Sequence, residues 1–343
     1  MKSPKHLNAY FRNRYCLFGF AFLGLAICIL IYFLLSPSRD FPQGEPGPLT
    51  LVTVSNGETG SAIAEDLYRA GVVKKSSTFV HLLTQDSAGQ GIAPGEHKVQ
   101  THLPVLQALA QMLDQKRIVN QIIVKDASTL ASVLSQLEND HDLKQSVDLT
   151  KVSIPLPNPS HSLEGELAPD QYSYAPGTNV DQALAAMTRN ASANFSQSGI
   201  TSGYKKFSPY QLLTIASLIQ IESDPGDYEK VASVIYNRLA INMPLQLNST
   251  VAYAGHLQGQ IGLSTAQTRI NSPYNTYIHT GLPPTPICNP TVPALRATLH
   301  PLRSNWLYFI TVSPHDTRFT SSFQQFESWV TLYNHNVAMG AFK

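Results

Sequence analysis

The chain has 343 residues, a formal net charge of +1 and 14% charged residues. This length allows a membrane anchor plus two or three domains. The near-neutral charge excludes the basic field that is typical of nucleic-acid binding. The hydrophobic fraction of 43% is ordinary for a globular protein, but a long apolar run is concentrated in the first 40 residues.

That N-terminal run has no charged residue from Leu17 to Leu35, which is about the length that a helix needs to cross a bilayer. Four cations precede it: Lys2, Lys5, Arg12 and Arg14. The positive-inside rule therefore predicts a cytoplasmic N-terminus and an exported remainder after about Ser36. A cleavable signal peptide is the alternative, but its apolar core would be shorter and a small-x-small cleavage site would follow. Residues 35–39 contain no such site, so we predict an uncleaved anchor.

Composition changes along the chain predict an α+β protein in six segments. These are a cytoplasmic segment (1–14), a transmembrane anchor (15–36), a linker (37–48), a small α+β module (49–117), a connection (118–162) and a larger α+β domain (163–343). Cys288 is the one cysteine beyond the anchor, so this exported part forms no intramolecular disulfide. We interpret this cysteine as structural rather than nucleophilic.

The small module alternates strand and helix patterns. A strand is predicted at 51–54, followed by helices at 61–70, 77–83 and 103–113. The strand–helix order recurs in the connection, at 121–124 and 128–137. From these residues alone, a spacer between membrane and distal domain is as good an interpretation as ligand binding.

The larger domain is organised around a predicted helix from Ser208 to Ser223. Ser208 is a good N-cap, Pro209 suits the first helical position, and Gln211 completes a capping box. An apolar stripe along this helix ends in Glu222, and burial there would raise the pKa of the carboxyl group. A carboxyl group with a raised pKa can act as a general acid near neutral pH. The alternative is a glutamate that emerges into solvent in the last turn.

Downstream, we predict a helix at 227–241 capped by Asp227 and a buried strand at 306–312. The sequence contains no glycine-rich phosphate loop, no His-Glu-x-x-His and no Gly-x-Ser-x-Gly motif. The scattered histidines show no metal-ligand spacing, so we predict neither a metal site nor a cofactor. Amide side chains beside tyrosines in 244–253 and 272–277 suit sugars, which need both hydrogen bonds and flat apolar contacts.

At this point the sequence resembles a known family, the endolytic murein transglycosylases (MltG, YceG-like). The resemblance is carried by Ala-Ser-Leu-Ile-Gln-Ile-Glu-Ser at 216–223, Val-Ala-Ser-Val-Ile-Tyr-Asn-Arg-Leu at 231–239, Leu-Gln at 245–246 with Thr-Val at 250–251, Ser-Pro-Tyr-Asn-Thr-Tyr at 272–277 and Thr-Gly-Leu-Pro-Pro-Thr-Pro-Ile at 280–287. These blocks follow the order and spacing of the family over roughly 163–320, and the front half is also similar.

The resemblance implies a single-pass inner-membrane protein with a LysM-like module and a periplasmic catalytic domain. It implies cleavage within nascent peptidoglycan strands, between N-acetylmuramic acid and N-acetylglucosamine, leaving 1,6-anhydro ends and terminating strand elongation. The position of the family's catalytic glutamate is Glu222. Penicillin-binding proteins are partners implied by the resemblance only. We predict substrate contacts from six residues: Gln246, Asn248, Tyr274, Asn275, Thr276 and Tyr277.

The chain also departs from the family pattern. Gln220 stands where the motif has a first acid, which leaves Glu222 as the acid of this motif. Asn248 and Ser249 stand where the family has Asp-Pro. Further departures are at Glu166, Thr317 and Phe326. These changes bear on subsite contacts and turnover more than on the fold.

Two alternatives to a lytic transglycosylase stay open from the sequence. One is a wall-binding or assembly scaffold whose catalytic domain has decayed. The other is a lysozyme-type muramidase, which needs a second carboxylate facing Glu222. Glu164 and Asp170 are the candidates for that second carboxylate.

Overall fold

The computed structural model of the protein describes residues 40–44, 46–55, 57–85, 91–145, 152–158, 160–257 and 263–342. The predicted cytoplasmic segment 1–14 and transmembrane anchor 15–36 lie outside these residues. None of the helices formed by the described residues is long and apolar enough to cross a membrane. Contacts divide the described chain into two units, one of residues 40–93 with 97–117 and one of 94–96 with 118–342.

The first unit runs strand, helix, helix, strand, helix. Its elements are β1 (Leu49–Val54), α1 (Gly60–Arg69), α2 (Ser76–Gln85), β2 (Gly95–Gln100) and α3 (Val105–Leu113), with β1 and β2 paired in one sheet. Thr59 caps α1 by accepting a hydrogen bond from the backbone N–H of Ala62. One apolar core joins both strands and the three helices, centred on residues such as Leu67, Phe79 and Met112. The predicted elements of this module are confirmed within two residues at each end.

The second unit begins with β3 (Gln121–Val124) and α4 (Leu130–Glu138). β3 pairs antiparallel with β4 (Asp170–Ser173), and Ile122 and Val133 share a core with Leu184 and Met187 of α5 (Val180–Ser198). The fully buried Asn289 ties the same region together, because its amide donates to the Ser128 carbonyl oxygen and accepts from the Leu167 N–H. Residues of the predicted connection 118–162 are therefore part of the second unit, and the division at 162/163 stays a prediction.

The centre of the second unit is α6 (Pro209–Glu222), which packs against α7 (Tyr228–Ala240) and α9 (Val292–Leu299). The predicted capping box is present: Ser208 Oγ accepts from the Gln211 N–H, and Gln211 Oε1 accepts from the Ser208 N–H. The prediction of one apolar stripe is wrong, because every residue from Leu212 to Ile219 is buried. The middle of the helix is surrounded by protein on all sides, and the helix reaches the surface at Gln211 in its first turn and at Gln220, Ile221 and Glu222 in its last turn.

The remaining elements follow α7 along the chain. They are the short α8 (Asn248–Ala254), the hairpin of β5 (Tyr308–Ser313) and β6 (Asp316–Thr320), and the terminal α10 (Phe323–Ala338). The predicted buried strand at 306–312 corresponds to β5, but only Val312 in it is buried. The strand has one partner strand and α10 against it, so its aromatic residues stay half-exposed. Asp227 precedes α7 without capping it, since its carboxylate pairs with Lys230 at 2.7 Å.

The segment at Gly165 passes close behind α6. Cys288 is fully buried there, and its Sγ contacts the Ser217 carbonyl oxygen of α6 at 3.4 Å. Burial raises the pKa of the Cys288 thiol, so this cysteine is structural, as the sequence predicts. Gly165 has φ of +81°, and a Cβ at this position would lie 2.7 Å from Pro286 Cβ.

Gly165→Ala is expected to lower the free energy of unfolding by about 2–4 kcal/mol, because left-handed backbone strain and overpacking add. Gly281→Ala is the matched control: Gly281 has φ of +90° but nothing within 4 Å of an added Cβ. It should cost only the backbone strain of about 1 kcal/mol. Thermal or denaturant unfolding of the purified chain measures both values, and equal losses would contradict the packing argument.

Candidate active site

Glu222 is the last residue of α6 and lies at the wall of an open cavity of about 660 Å³. Its side chain is half-buried, because the rest of α6 runs back into the core while Ser223 turns into extended backbone. The helix thus holds the carboxyl group at the boundary between core and cavity. Such a rigid support suits a reactive group, since its position is fixed by packing rather than by a loop.

Two donors from one residue bind the same oxygen of this carboxyl group. The Ser249 hydroxyl donates a short hydrogen bond to Glu222 Oε1, and the Ser249 backbone N–H lies 3.4 Å from the same atom. Ser249 is in the first turn of α8, where backbone N–H groups have no acceptor within the helix. No described residue donates a hydrogen bond to Oε2. The two carboxyl oxygens are therefore inequivalent: Ser249 holds Oε1, whereas Oε2 has no hydrogen-bond donor among the described residues.

The environment sets the protonation of Glu222. Burial raises the pKa of this carboxyl group above its usual value, and the Ser249 hydrogen bonds and the charge of Arg238 act in the opposite direction. The predicted direction of the pKa shift thus agrees with the structure. The physical cause is desolvation at the end of a buried helix, which disfavours the charged form.

Arg238 of α7 is the cation of this cavity wall, and it is only 6% exposed. Its guanidinium donates to two backbone carbonyl oxygens, of Leu307 at 2.5 Å and of Leu245 at 2.6 Å. These bonds fasten the start of β5 and the 244–247 segment to α7. The guanidinium also lies 5.4 Å from the centre of the Tyr308 ring. Because Arg238 has no carboxylate salt-bridge partner among the described residues, its charge acts on the cavity.

Three of the six predicted substrate contacts line the same cavity as Glu222: Gln246, Asn248 and Tyr277. Asn248 and Gln246 are exposed, and Asn248 Oδ1 accepts a hydrogen bond from the Tyr277 hydroxyl at 2.6 Å. Gln246 has φ of +49°, which directs its backbone N–H to the Thr276 carbonyl oxygen. Amide groups and a phenol therefore meet the carboxyl group on one wall.

The other three predicted contacts do not line the cavity. Asn275 is fully buried, and its amide donates to the carbonyl oxygens of Thr268 and Ile270. Thr276 Oγ1 accepts from the Leu247 N–H, and the Tyr274 hydroxyl lies 2.9 Å from Thr285 Oγ1. In the structure the polar atoms of Tyr274, Asn275 and Thr276 hold the loops that carry Gln246, Asn248 and Tyr277. Their role as substrate contacts stays a prediction.

A second cavity of about 590 Å³ is also lined by Glu222. The two cavities share Glu222, Thr311 and Phe342. The second one is more polar, and the exposed side chains of Asp224 and His315 lie in its wall, with 2.7 Å between Asp224 Oδ2 and His315 Nδ1. Glu222 thus stands where two open spaces meet.

Gln220, at the position of the family's first acid, has a structural role. Its amide donates to the Tyr228 hydroxyl at 2.8 Å and accepts from both the N–H and the hydroxyl of Thr291. These bonds join α6 to α7 and to the start of α9. The amide of Gln220 donates and accepts at the same time. An ionised carboxylate at this position could only accept hydrogen bonds.

Neither sequence candidate for a second carboxylate faces Glu222. Glu164 is buried and accepts hydrogen bonds from the Leu130 N–H and the Tyr253 hydroxyl, both at 2.9 Å. Asp170 lies in β4 and accepts from the Asn190 amide. Among the described residues that line the larger cavity, Glu222 is the one carboxylate. The described residues also contain no group of three or more His, Cys, Asp or Glu side chains that could hold a metal ion.

Ser249, Arg238 and the aromatic residues of β5 and α10 are the site features that sequence reasoning missed. Ser249 was visible only as a departure from a family pattern, since a lone serine in a polar segment carries no signal of its own. Arg238 has the position of an ordinary last-turn cation on α7. Only the packing of α7 against the 244–247 segment and β5 reveals that it is buried.

The fold and cavity define an α+β protein whose open cleft presents one half-buried carboxyl group. The sequence model of the YceG-like family matches residues 52–331, so the chain belongs to that family. A Bacillus subtilis (strain 168) protein named endolytic murein transglycosylase is 30% identical over 298 residues, covering 80% of this chain and 82% of the relative. A Streptococcus pneumoniae (serotype 2) protein of the same name is 34% identical over 203 residues, covering 54% of this chain and 36% of the relative.

A crystal structure of a YceG-like protein from Listeria monocytogenes has the same fold. Its TM-score is 0.51 at 23% identity, and the match covers 82% of this chain and 98% of that one. At this identity the likeness shows the fold alone. The expected α+β class and the suspected family are thereby confirmed.

The buried acids Glu164 and Glu166 make stability depend on pH. Burial raises the pKa of each to about 7, from an ordinary 4.5. Between these pH values the folded form keeps the proton and the unfolded form loses it, so the free energy of unfolding falls as pH rises from about 4.5 to about 7. The expected loss is about 2–3 kcal/mol for each group.

Glu166→Gln should flatten this pH dependence, since an amide does not titrate while it can still accept from the Leu156 N–H that Glu166 now binds at 3.0 Å. Denaturant unfolding of the purified chain at a series of pH values checks this. Exposed Glu138→Gln is the control and should leave the slope unchanged. An equally steep slope in Glu166→Gln would show that Glu166 does not carry the effect.

Proposed function

We propose that the chain is an endolytic peptidoglycan lytic transglycosylase in which Glu222 serves as both general acid and general base. The observation that carries this proposal is a carboxyl group with one held oxygen and one open oxygen, facing a cleft without a second carboxylate among its described lining residues. The names of the Bacillus and Streptococcus relatives support the same reaction class.

In the first step, Oε2 of protonated Glu222 donates its proton to the glycosidic oxygen between N-acetylmuramic acid and N-acetylglucosamine. The bond from that oxygen to the muramyl C1 breaks, and positive charge develops on the sugar ring. Burial raises the pKa of Glu222, which favours the protonated form that this step requires. The Ser249 donors on Oε1 stabilise the carboxylate that forms.

In the second step, the muramyl C6 hydroxyl attacks C1 and gives its proton to the Glu222 carboxylate. This closes a 1,6-anhydro ring and restores the acid for the next turnover. The substrate supplies its own nucleophile, so neither a second carboxylate nor an attacking water is needed. Arg238 favours the carboxylate between the two steps through its charge, without touching the reacting atoms.

The two cavities that meet at Glu222 support cleavage inside a strand. An endolytic cut requires that sugars occupy positions on both sides of the broken bond. Two open cavities that adjoin at Glu222 offer room for sugars beyond one binding position, whereas a closed pocket would admit only a strand end. The larger cavity carries Gln246, Asn248 and Tyr277 as its hydrogen-bonding groups.

We also propose that the protein is anchored in the bacterial inner membrane by residues 15–36, with a cytoplasmic N-terminus and a periplasmic catalytic domain that terminates strand elongation. The support is the apolar run at 17–35 and the cations that precede it. We propose that the 49–117 module is LysM-like, supported by its strand–helix–helix–strand order over a two-stranded sheet. Penicillin-binding proteins as partners rest on the family resemblance alone.

Glu222→Gln is expected to reduce the release of products from purified peptidoglycan by at least about a thousandfold, because a general acid contributes rate on this scale. Glutamine keeps the shape of the side chain and can still accept from Ser249. Product ends are identified by mass spectrometry. Anhydro-muramyl ends that depend on Glu222 support the proposal. Reducing ends would point to a muramidase, and no release by the unmodified chain would point to a binding scaffold.

Ser249→Ala removes the hydroxyl donor from Oε1 and is expected to raise the pKa of Glu222, because the ionised form loses a hydrogen bond. The alkaline limb of the kcat/KM profile, where the acid becomes deprotonated, should then move to higher pH. The maximal rate should fall about 10- to 150-fold, because a hydrogen bond to a charged group is worth about 1.5–3 kcal/mol. Arg238 and Tyr277 also face this carboxyl group and are unchanged.

Ser249→Thr is the matched control for this prediction, since it keeps a hydroxyl group at the same position. It should retain the profile of the unmodified chain. If the alkaline limb does not move in Ser249→Ala, the Ser249 hydroxyl does not help to set the pKa of Glu222.

A further inference from the structure

An aromatic stripe on α10 faces the cavity of Glu222. Phe323, Phe326 and Tyr333 all line this cavity, and spacings of three and seven residues place them on one face of the helix. No residue of α10 is buried, and Phe323 is 55% exposed. The aromatic face of this helix therefore looks into the cavity and is not covered by the core.

Polar bonds at both ends hold α10 in place. Near its start, Gln325 Oε1 accepts from the Thr320 hydroxyl at 2.7 Å, and near its end the Asn336 amide donates to the Val312 carbonyl oxygen at 2.8 Å. Both partners belong to the β5–β6 hairpin. Polar bonds thus fix both ends of the helix, while Phe323 and Phe326 of its aromatic face contact Tyr308 of β5 and still line the cavity.

The rings form a continuous wall with Tyr308 of β5. Phe326 stacks on Tyr308 with 5.3 Å between ring centres and 27° between planes, and Phe323 lies 5.6 Å from the same ring. We name Tyr308, Phe323 and Phe326 the aromatic wall. The polar groups of the cavity, from Glu222, Asn248 and Tyr277, come from other elements. One cavity therefore combines an apolar flat surface with hydrogen-bonding groups.

We propose that Phe323 and Phe326 form a sugar-binding subsite, in which the aromatic wall contacts the apolar C–H face of one ring of the glycan strand beside the cleaved bond. A sugar ring has a flat C–H face and polar edges, which matches a cavity with one aromatic wall and polar groups elsewhere. A charged peptide stem would instead require charged partners, and this wall supplies none. This inference rests on the proposed function and names the contacts of its substrate.

The test measures binding without turnover. Full-length protein carrying Glu222→Gln is titrated calorimetrically with peptide-free oligosaccharides of alternating N-acetylglucosamine and N-acetylmuramic acid. Phe323→Leu and Phe326→Leu, which keep apolar bulk but remove the ring, should each weaken binding about 3–10-fold. Phe326→Tyr keeps the ring and should bind like the parent.

Trp329→Leu is the matched control, because Trp329 is on the same helix but does not line the cavity. It should leave affinity unchanged. Unchanged affinity in both phenylalanine variants, an equal loss in Trp329→Leu, or a loss seen only with peptide-bearing strands would each overturn the sugar subsite. Since affinity is read without turnover, a failure of the proposed lytic reaction would appear separately, in the product assay of the unmodified chain.

Discussion

The active-site geometry depends on one interaction, the binding of Glu222 Oε1 by the hydroxyl and backbone N–H of Ser249. A carboxyl group buried without donors would stay protonated and would be a poor base afterwards. A fully solvated carboxylate would be a poor acid near neutral pH. Because both donors bind the same oxygen, the other oxygen can hold and release a proton. In the proposed mechanism, this arrangement would let a single group serve two successive steps.

The rest of the second unit holds that interaction in place through buried polar groups. Asn275 and Thr276 brace the loops on one side, and Arg238 fastens the other side by donating to carbonyl oxygens. Few of these loops pair with a neighbouring strand. Buried side chains form hydrogen bonds with their backbone N–H and C=O groups instead. The buried amide and guanidinium groups therefore hold the backbone segments that carry the exposed Gln246 and Asn248.

The sequence predicted those features that depend on local signals. The capping box of Ser208 and Gln211 fixes the start of α6, and the Asp224-Pro225 pair follows its end, so the location of Glu222 could be inferred. The all-round burial of α6 could not, because a single helix does not reveal how many neighbours surround it. α5 was not predicted, although its buried Val180, Leu184, Met187 and Phe195 recur at helical spacing, because the small and polar residues between them weaken the apolar pattern.

Long-range contacts explain the remaining differences between prediction and structure. Ser249 meets Glu222 across 27 positions of the sequence, and no spacing rule connects them. Asn275 looked like a sugar ligand because an amide beside tyrosines has that chemistry, yet the fold uses both its donors internally. In β5 the apolar composition predicted a buried strand, but its aromatic residues face a cavity. Composition identifies the residue types of a site, whereas packing decides which of them reach the ligand.

In the proposed mechanism one carboxyl group performs both steps, and the substrate's own hydroxyl is the nucleophile. Digestion of peptidoglycan in heavy-oxygen water, with the muramyl ends analysed by mass spectrometry, tests this mechanism. The expected 1,6-anhydro ends contain no heavy oxygen, since no water enters the reaction. Reducing ends that carry one heavy-oxygen atom would contradict this mechanism, because they would show that water attacks C1.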